Sequence, residues 1–267
     1  MAPDHPRTWI KIAARTGYAA RGAVYVIVGA LTVLAGFVSS KKPDTRDAVS
    51  TLMHQPFGVV LVCALLAGLC CYVIWRLLQV IFDPDEHGSG AKGLIIRAAF
   101  LVSATSYAFL ALYALSLLGI GLAEGGGGGG SPLREYLTSF LGARTVALAL
   151  AITFAGVAIA HWRKAFAGTY EKYFKADDDA ESIIRPIAVI GLSARGLVFA
   201  VIAWLFASRF IYLGEQQATE KPGLQDVLNY LAKLPYGPWL TIAMGVGLIA
   251  YALYSLAEAR WRRIGRL

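Results

Sequence analysis

The sequence predicts an all-α membrane protein, with six transmembrane helices arranged as three parallel two-helix repeats around a pseudo-threefold axis. Three observations carry this. The first is composition: of 267 residues, 57% are hydrophobic and only 16% charged, and mean hydropathy is +0.57. A soluble domain carries about 25% charged residues. The second is a set of apolar runs long enough to span a bilayer, at about 18–39, 57–81, 98–122, 141–166, 187–213 and 238–259. They do not alternate apolar with polar as barrel strands would, so each closes its own backbone hydrogen bonds as a helix. The third is a repeat. Gly17, Arg21 and Gly22 fall on Gly191, Arg195 and Gly196, a spacing of 174 residues, and a weaker copy lies midway at 94–119. The chain reads as a single membrane domain over 1–267, with repeats at 10–86, 94–175 and 184–262.

Each unit opens on a basic residue at the cytoplasmic edge, Lys11, Arg97 or Arg185. A long helix crosses outward and a loop follows. A short polar helix comes next, DAVSTLMHQPFG (47–58) in unit one and DVLNYLAKLPYG (226–237) in unit three. Asp47 and Asp226 read as N-caps, since a carboxylate accepts the free N–H groups of a first turn. Ser131-Pro132 serves that purpose in unit two. Pro56-x-Gly58 and Pro235-x-Gly237 stop the short helix and turn the chain into the returning span. The six glycines Gly125 to Gly130 predict a flexible external loop and not a phosphate loop, because neither a strand before them nor a GKS or GKT after them is present. Trp75 and Trp162 are placed at the cytoplasmic interface, Trp239 at the outer one and Trp204 deeper, in packing.

Seventeen of the 25 Lys and Arg fall on the side of both termini and of the second and fourth loops; eight fall opposite. The positive-inside rule puts the N- and C-termini in the cytoplasm. That excess predicts contact with anionic lipid headgroups. Nucleic-acid binding is excluded, since no loop is long enough to fold a basic surface. The first run, with its basic start, imitates a signal peptide, but its copy at 187–213 cannot be one, so both are read as mature helices. Cys63, Cys70 and Cys71 share one helix and read as packing residues, with no disulfide and no metal site.

The costly groups are Arg21 and Arg195. Each comes ten residues after the basic edge residue, about 15 Å further along the helix. A charge at such depth costs about 2.5–3.5 kcal/mol on insertion scales. Gly17 and Gly191 lie one turn earlier, and Gly22 and Gly196 follow directly; glycines here admit close helix packing. Unit two has Ser103 for the glycine and Tyr107 for the arginine. If the three faces meet, Arg21, Tyr107 and Arg195 converge, and two guanidiniums with a phenol can bind an anion or lipid phosphate. The alternatives are caps on helix-end carbonyls, snorkelling to lipid phosphates, or pairing with a carboxylate of the next unit. Glu258 is the available partner, the sole acid within an expected span near the cytoplasmic side. Gln79, Arg163 and Glu258 take equivalent places in the returning helices, and Arg76 reads as a helix-end charge.

Catalytic and cofactor signals are lacking. His5, His54, His87 and His161 are scattered, and no HExxH, GxSxG or pair of intramembrane carboxylates occurs. No cofactor is expected. The elements GYAARG (17–22) and GLSARG (191–196) resemble those of a bacterial membrane family, domain of unknown function 1206, whose members look like three tandem two-helix units. The resemblance runs from about residue 10 to 262. It implies a bacterial inner-membrane protein and brings no activity. Two functions remain open. One is a non-enzymatic membrane protein that stabilises a membrane protein partner or forms a homo-oligomer. The other is a small transporter or channel in which Arg21, Tyr107 and Arg195 line a path for an anionic solute.

Overall fold

A computed structural model describes residues 6–37, 44–85, 87–120, 143–168, 171, 174, 178–212 and 224–262. Eight helices are described: α1 (Pro6–Phe37), α2 (Thr45–Met53), α3 (Gly58–Phe82), α4 (Ala91–Leu117), α5 (Ala143–Phe166), α6 (Asp178–Tyr212), α7 (Leu224–Ala232) and α8 (Gly237–Trp261). No strand occurs among the described residues; Phe174 and Arg262 form one isolated bridge. Six helices are long and apolar enough to cross a membrane, within α1, α3, α4, α5, α6 and α8. The chain is a multi-pass membrane protein. The sequence-based spans match these helices, although α1 and α6 start earlier than their apolar runs, and α6 carries Pro186 inside it. Gly125–Gly130 and Ser131-Pro132 lie outside the described residues.

Neighbouring spans follow the chain. α1 packs on α3 and α3 on α4; α5 packs on α6 and α6 on α8; α8 closes onto α1 in the most extensive helix contact of all. Glycine makes that contact possible. Gly22, Gly29 and Gly36 recur every seven residues on one face of α1. A Cβ on Gly29 would lie 2.9 Å from the Gly245 carbonyl oxygen, and one on Gly245 would lie 2.9 Å from that of Gly29. In lipid, where hydrophobic burial between helices contributes little, such close backbone approach is a main source of association energy.

On the opposite side from the termini, α2 is capped by Asp44, not by Asp47. Asp44 Oδ1 accepts from Thr45 N at 2.6 Å, and Asp47 Oδ2 accepts from Asp44 N at 2.7 Å. The two acids divide a capping box between them, and this fixes the helix start three residues before the expected one. Asp226 lies within the first turn of α7. The Pro-x-Gly turns place a large side chain in left-handed backbone: Phe57 (φ 61°) and Tyr236 (φ 62°) precede α3 and α8. Both are exposed, at 83% and 80%. A non-glycine residue there costs about 1–2 kcal/mol. Phe57→Gly is expected to raise thermal stability in detergent by about 1 kcal/mol; an unchanged or lower midpoint would show that the ring's interfacial contacts outweigh the strain. At the C-terminal end of α3, Asp83 takes φ 46°. Its carboxylate accepts from His87 N and Gly88 N, bonds that hold it below the usual carboxylate range.

Four aromatic and thiol placements differ from expectation. Trp75 is fully buried, with its Nε1 donating to Tyr18 OH at 2.9 Å, and Trp204 is 52% exposed. An indole that finds an internal acceptor no longer needs the membrane interface. Cys63 and Cys70 are free thiols on the outside of α3.

Candidate functional site

Arg21 is buried, at 3% exposure, and every nitrogen of its guanidinium is engaged. Nε donates to Ser255 Oγ at 3.1 Å, Nη1 to Tyr72 OH at 2.9 Å, and Nη2 to Glu258 Oε2 in an ion pair. The rings of Tyr18, Tyr72 and Tyr251 stand 5.0, 5.3 and 5.2 Å from its Cζ. Such depth excludes snorkelling. The side chain takes the carboxylate that the sequence offers, donated by α8 across the α1–α8 seam.

The ion pair belongs to a closed ring of hydrogen bonds. Glu258 Oε1 accepts from Arg262 Nη1 at 2.7 Å, and Arg262 Nη2 donates to Asp85 Oδ2 at 3.0 Å. Asp85 Oδ2 also accepts from Gln79 Nε2 at 2.7 Å. Gln79 Oε1 accepts from Arg76 Nη1 at 2.9 Å, and Arg76 donates twice to Tyr72 OH, which returns to Arg21. The ring ties α1 to the C-terminal ends of α3 and α8. Tyr254 OH and Lys164 Nζ also approach Glu258 Oε1, at 3.1 and 3.6 Å. Arg76 is thus an inward-facing member of the network and not a mere helix-end charge. The helix-end role falls to Arg97, whose guanidinium donates to the carbonyls of Val80 and Ile81.

The second arginine has a different environment. Arg195 is half-buried, and its Cζ lies 4.8, 4.7 and 5.5 Å from the rings of Tyr25, Phe199 and Tyr251. Cation–π contact is its whole described bonding. Tyr107 is buried and meets Tyr72 edge-on at 4.7 Å. Arg21, Tyr107 and Arg195 therefore come to one aromatic cluster, bridged by Tyr72 on one side and Tyr251 on the other.

The glycines seat these groups. A Cβ on Gly17 would lie 2.5 Å from Tyr72 Cα, and one on Gly191 would lie 2.5 Å from Tyr251 N. Gly22 faces Leu256 and the Ala252 carbonyl, and Gly196 faces the Trp162 indole. Tyr72 and Tyr251 are the site residues that sequence reasoning missed. Their signal was available: the returning helices repeat at 179 residues, an offset that relates Gly58 to Gly237, Tyr72 to Tyr251 and Gln79 to Glu258. Burial on α5 follows that on α8 at an offset of 94 residues. Ala147, Ala151 and Ala158 on the packed side of α5 match Thr241, Gly245 and Ala252 of α8. His161 and Lys164 then stand where Ser255 and Glu258 do, while Arg163 is exposed.

A family model described as "Domain of Unknown Function (DUF1206)" matches residues 16–83 and 190–262, more than half of the chain. The chain belongs to this family. The two matches begin 174 residues apart, the offset of the arginine repeat, and together contain Arg21, Tyr72, Arg195, Tyr251 and Glu258. The DUF1206 matches leave out Tyr107, His161 and Lys164. The chain is also 27% identical over 268 residues to "Uncharacterized protein YxxB" of Bacillus subtilis (strain 168), covering 97% of this chain and 93% of that protein. No solved structure matches it. Among the described residues no three His, Cys, Asp or Glu side chains come together as a metal site would require.

Proposed function

We propose that this DUF1206 protein is a non-enzymatic component of the bacterial cytoplasmic (inner) membrane, with both termini in the cytoplasm, whose role is structural or partner-stabilising. The observation that carries the reading is the use made of Arg21. Each of its three nitrogens donates, to Ser255, Tyr72 and Glu258, so an expensive intramembrane charge acts as a clasp between the first and last units. The same engagement weighs against a transport path through Arg21. Arrangement as three two-helix units is supported by the sequence offsets and by the α8–α1 closure. The unequal distribution of Lys and Arg supports the orientation, and the Bacillus relative supports the bacterial setting.

The spans of α4 and α5 are each 22% buried, against 50% for α1 and 56% for α8. They offer the widest lateral surface for a membrane partner or a second copy. Extraction in a mild detergent through an affinity tag is expected to yield a defined oligomer or a specific co-purifying membrane protein. A monodisperse monomer without a partner would count against the proposal. Tags on either terminus are expected to resist protease in intact cells; digestion of either would overturn the orientation.

A further inference from the structure

Charge is not balanced around the aromatic cluster. The connected and neighbouring groups are five cations, Arg21, Arg76, Lys164, Arg195 and Arg262, against two carboxylates, Glu258 and Asp85. Four of the cations lie in the ring or beside it, bonded to or facing its carboxylates, amide and phenol. Arg195 does not share in it. Among the described residues it has neither a hydrogen bond nor an ion pair. The reason is visible in the repeat. Arg21 meets Ser255 and Glu258 on α8, but the matching positions on α5 hold His161 and Lys164. His161 packs on the Phe199 ring at 5.2 Å, the same ring that Arg195 covers, and counts Arg195 among its electrostatic neighbours. Its Nδ1–H donates to the Val157 carbonyl at 2.9 Å, which turns Nε2 away from its own helix backbone. A second cationic position thus occupies the place of a counter-anion.

Three hydroxyls share this condition. Tyr25, Tyr107 and Tyr251 are buried side chains around Arg195, and among the described residues none of their oxygens has a hydrogen-bond partner. Sealed polar atoms without partners do occur nearby, Ser193 Oγ for one, but the three phenol oxygens and the Arg195 nitrogens are not sealed. Their polar tips therefore keep some accessible surface without a protein partner. An unpartnered guanidinium fork grouped with unpartnered phenolic donors has the chemistry of a receptor for an oxyanion.

We propose that Arg195, with the Tyr25, Tyr107 and Tyr251 hydroxyls, binds a phosphate-type anion inside the bundle, either the headgroup of an anionic phospholipid or a free phosphate. The site excludes Arg21 and stands independently of the partner-stabilising reading.

The test uses the full chain, purified in a maltoside detergent and stripped of lipid. Thermal unfolding is followed by tryptophan fluorescence during titration with inorganic phosphate, with phosphatidylglycerol, and with diacylglycerol as the chain-matched control lacking phosphate. A rise in midpoint with phosphatidylglycerol alone identifies the headgroup as the source; a rise with inorganic phosphate identifies a soluble oxyanion. In either case Arg195→Gln is expected to weaken binding by about tenfold or more, the range of a lost charge-assisted hydrogen bond. His161→Glu keeps Arg195 and supplies the missing carboxylate, and is expected to abolish the response while the protein stays folded. This second variant decides the matter if Arg195→Gln fails to fold. Absence of a response to both phosphate probes in the wild type, an equal response to diacylglycerol, or undiminished binding in His161→Glu would each overturn the proposal.

Discussion

Replacing Glu258 by alanine is expected to destabilise the protein by about 3–5 kcal/mol, the usual cost of breaking a buried ion pair by deleting one member. Glu258 is 2% exposed and is approached by Arg21, Arg262, Lys164 and Tyr254. Truncation leaves three cationic groups without their carboxylate, two of them, Arg21 and Arg262, buried. The closed ring also opens, since Arg262 then holds Asp85 alone. The charge, not the packing, carries the effect, and a double variant separates the two. Arg21→Met with Glu258→Leu removes both ends of the pair and fills comparable volume. It leaves Ser255 Oγ bonded to the Tyr251 carbonyl and Tyr72 OH bonded to Arg76. Its loss is expected to be smaller than the single variant's, because the buried Arg21 guanidinium goes with its partner, while Arg262, Lys164 and Tyr254 still lose the Glu258 carboxylate and keep part of the cost. Thermal unfolding in detergent measures both. A Glu258→Ala protein within about 1 kcal/mol of wild type would show that water reaches Arg21 and that the ring is not a clasp.

That clasp was partly legible in the sequence, and the parts that were not have physical reasons. Arg21 and Glu258 stood out because a charge inside an apolar run is expensive and must be compensated. Tyr72 and Tyr251 did not, since tyrosine in a membrane helix is compatible with packing, interface anchoring or bonding alike. Only the 179-residue offset of the returning helices distinguishes them, and it differs from the 174-residue offset of the outgoing helices. The difference is a loop-length effect, invisible when one period is sought for a whole unit. A one-residue difference of the same kind separates Arg163, which the sequence sets beside Gln79 and Glu258, from Lys164, the residue that packs. The helices themselves were plain from their runs of apolar residues. Their neighbours were plain only in part. The glycines Gly22, Gly29 and Gly36 sit in heptad register, and that spacing marks α1 as a seam helix; which helix fills the seam depends on the closure of α8, a long-range contact that local pattern does not encode.

The glycine seats give the second large effect. Gly17→Ala is expected to cost about 1–3 kcal/mol, the range for overpacking a filled interface. The added methyl would lie 2.5 Å from Tyr72 Cα and 2.7 Å from Tyr72 N, and backbone atoms cannot rotate away as a side chain can. The helices must part, which also moves Tyr72 OH from Arg21 and from Arg76 and so loosens the ring. Gly191→Ala meets Tyr251 N and Cα in the same manner and carries a comparable cost. Gly22→Ala meets the tip of the Leu256 side chain first, at 2.8 Å, and is expected to be milder because that leucine can change rotamer. Gly156 in α5 is the control: nothing lies within 4 Å of its would-be Cβ. Alanine there removes only the helical penalty of glycine and is expected to stabilise by up to about 1 kcal/mol. The ordering, with Gly17 and Gly191 worst, Gly22 intermediate and Gly156 neutral or better, is read from thermal midpoints of the four variants. If all four fall alike, the cost reflects glycine's removal in general and not backbone contact at the arginine level; if Gly17→Ala is silent, α1 and α3 do not touch where Arg21 is held.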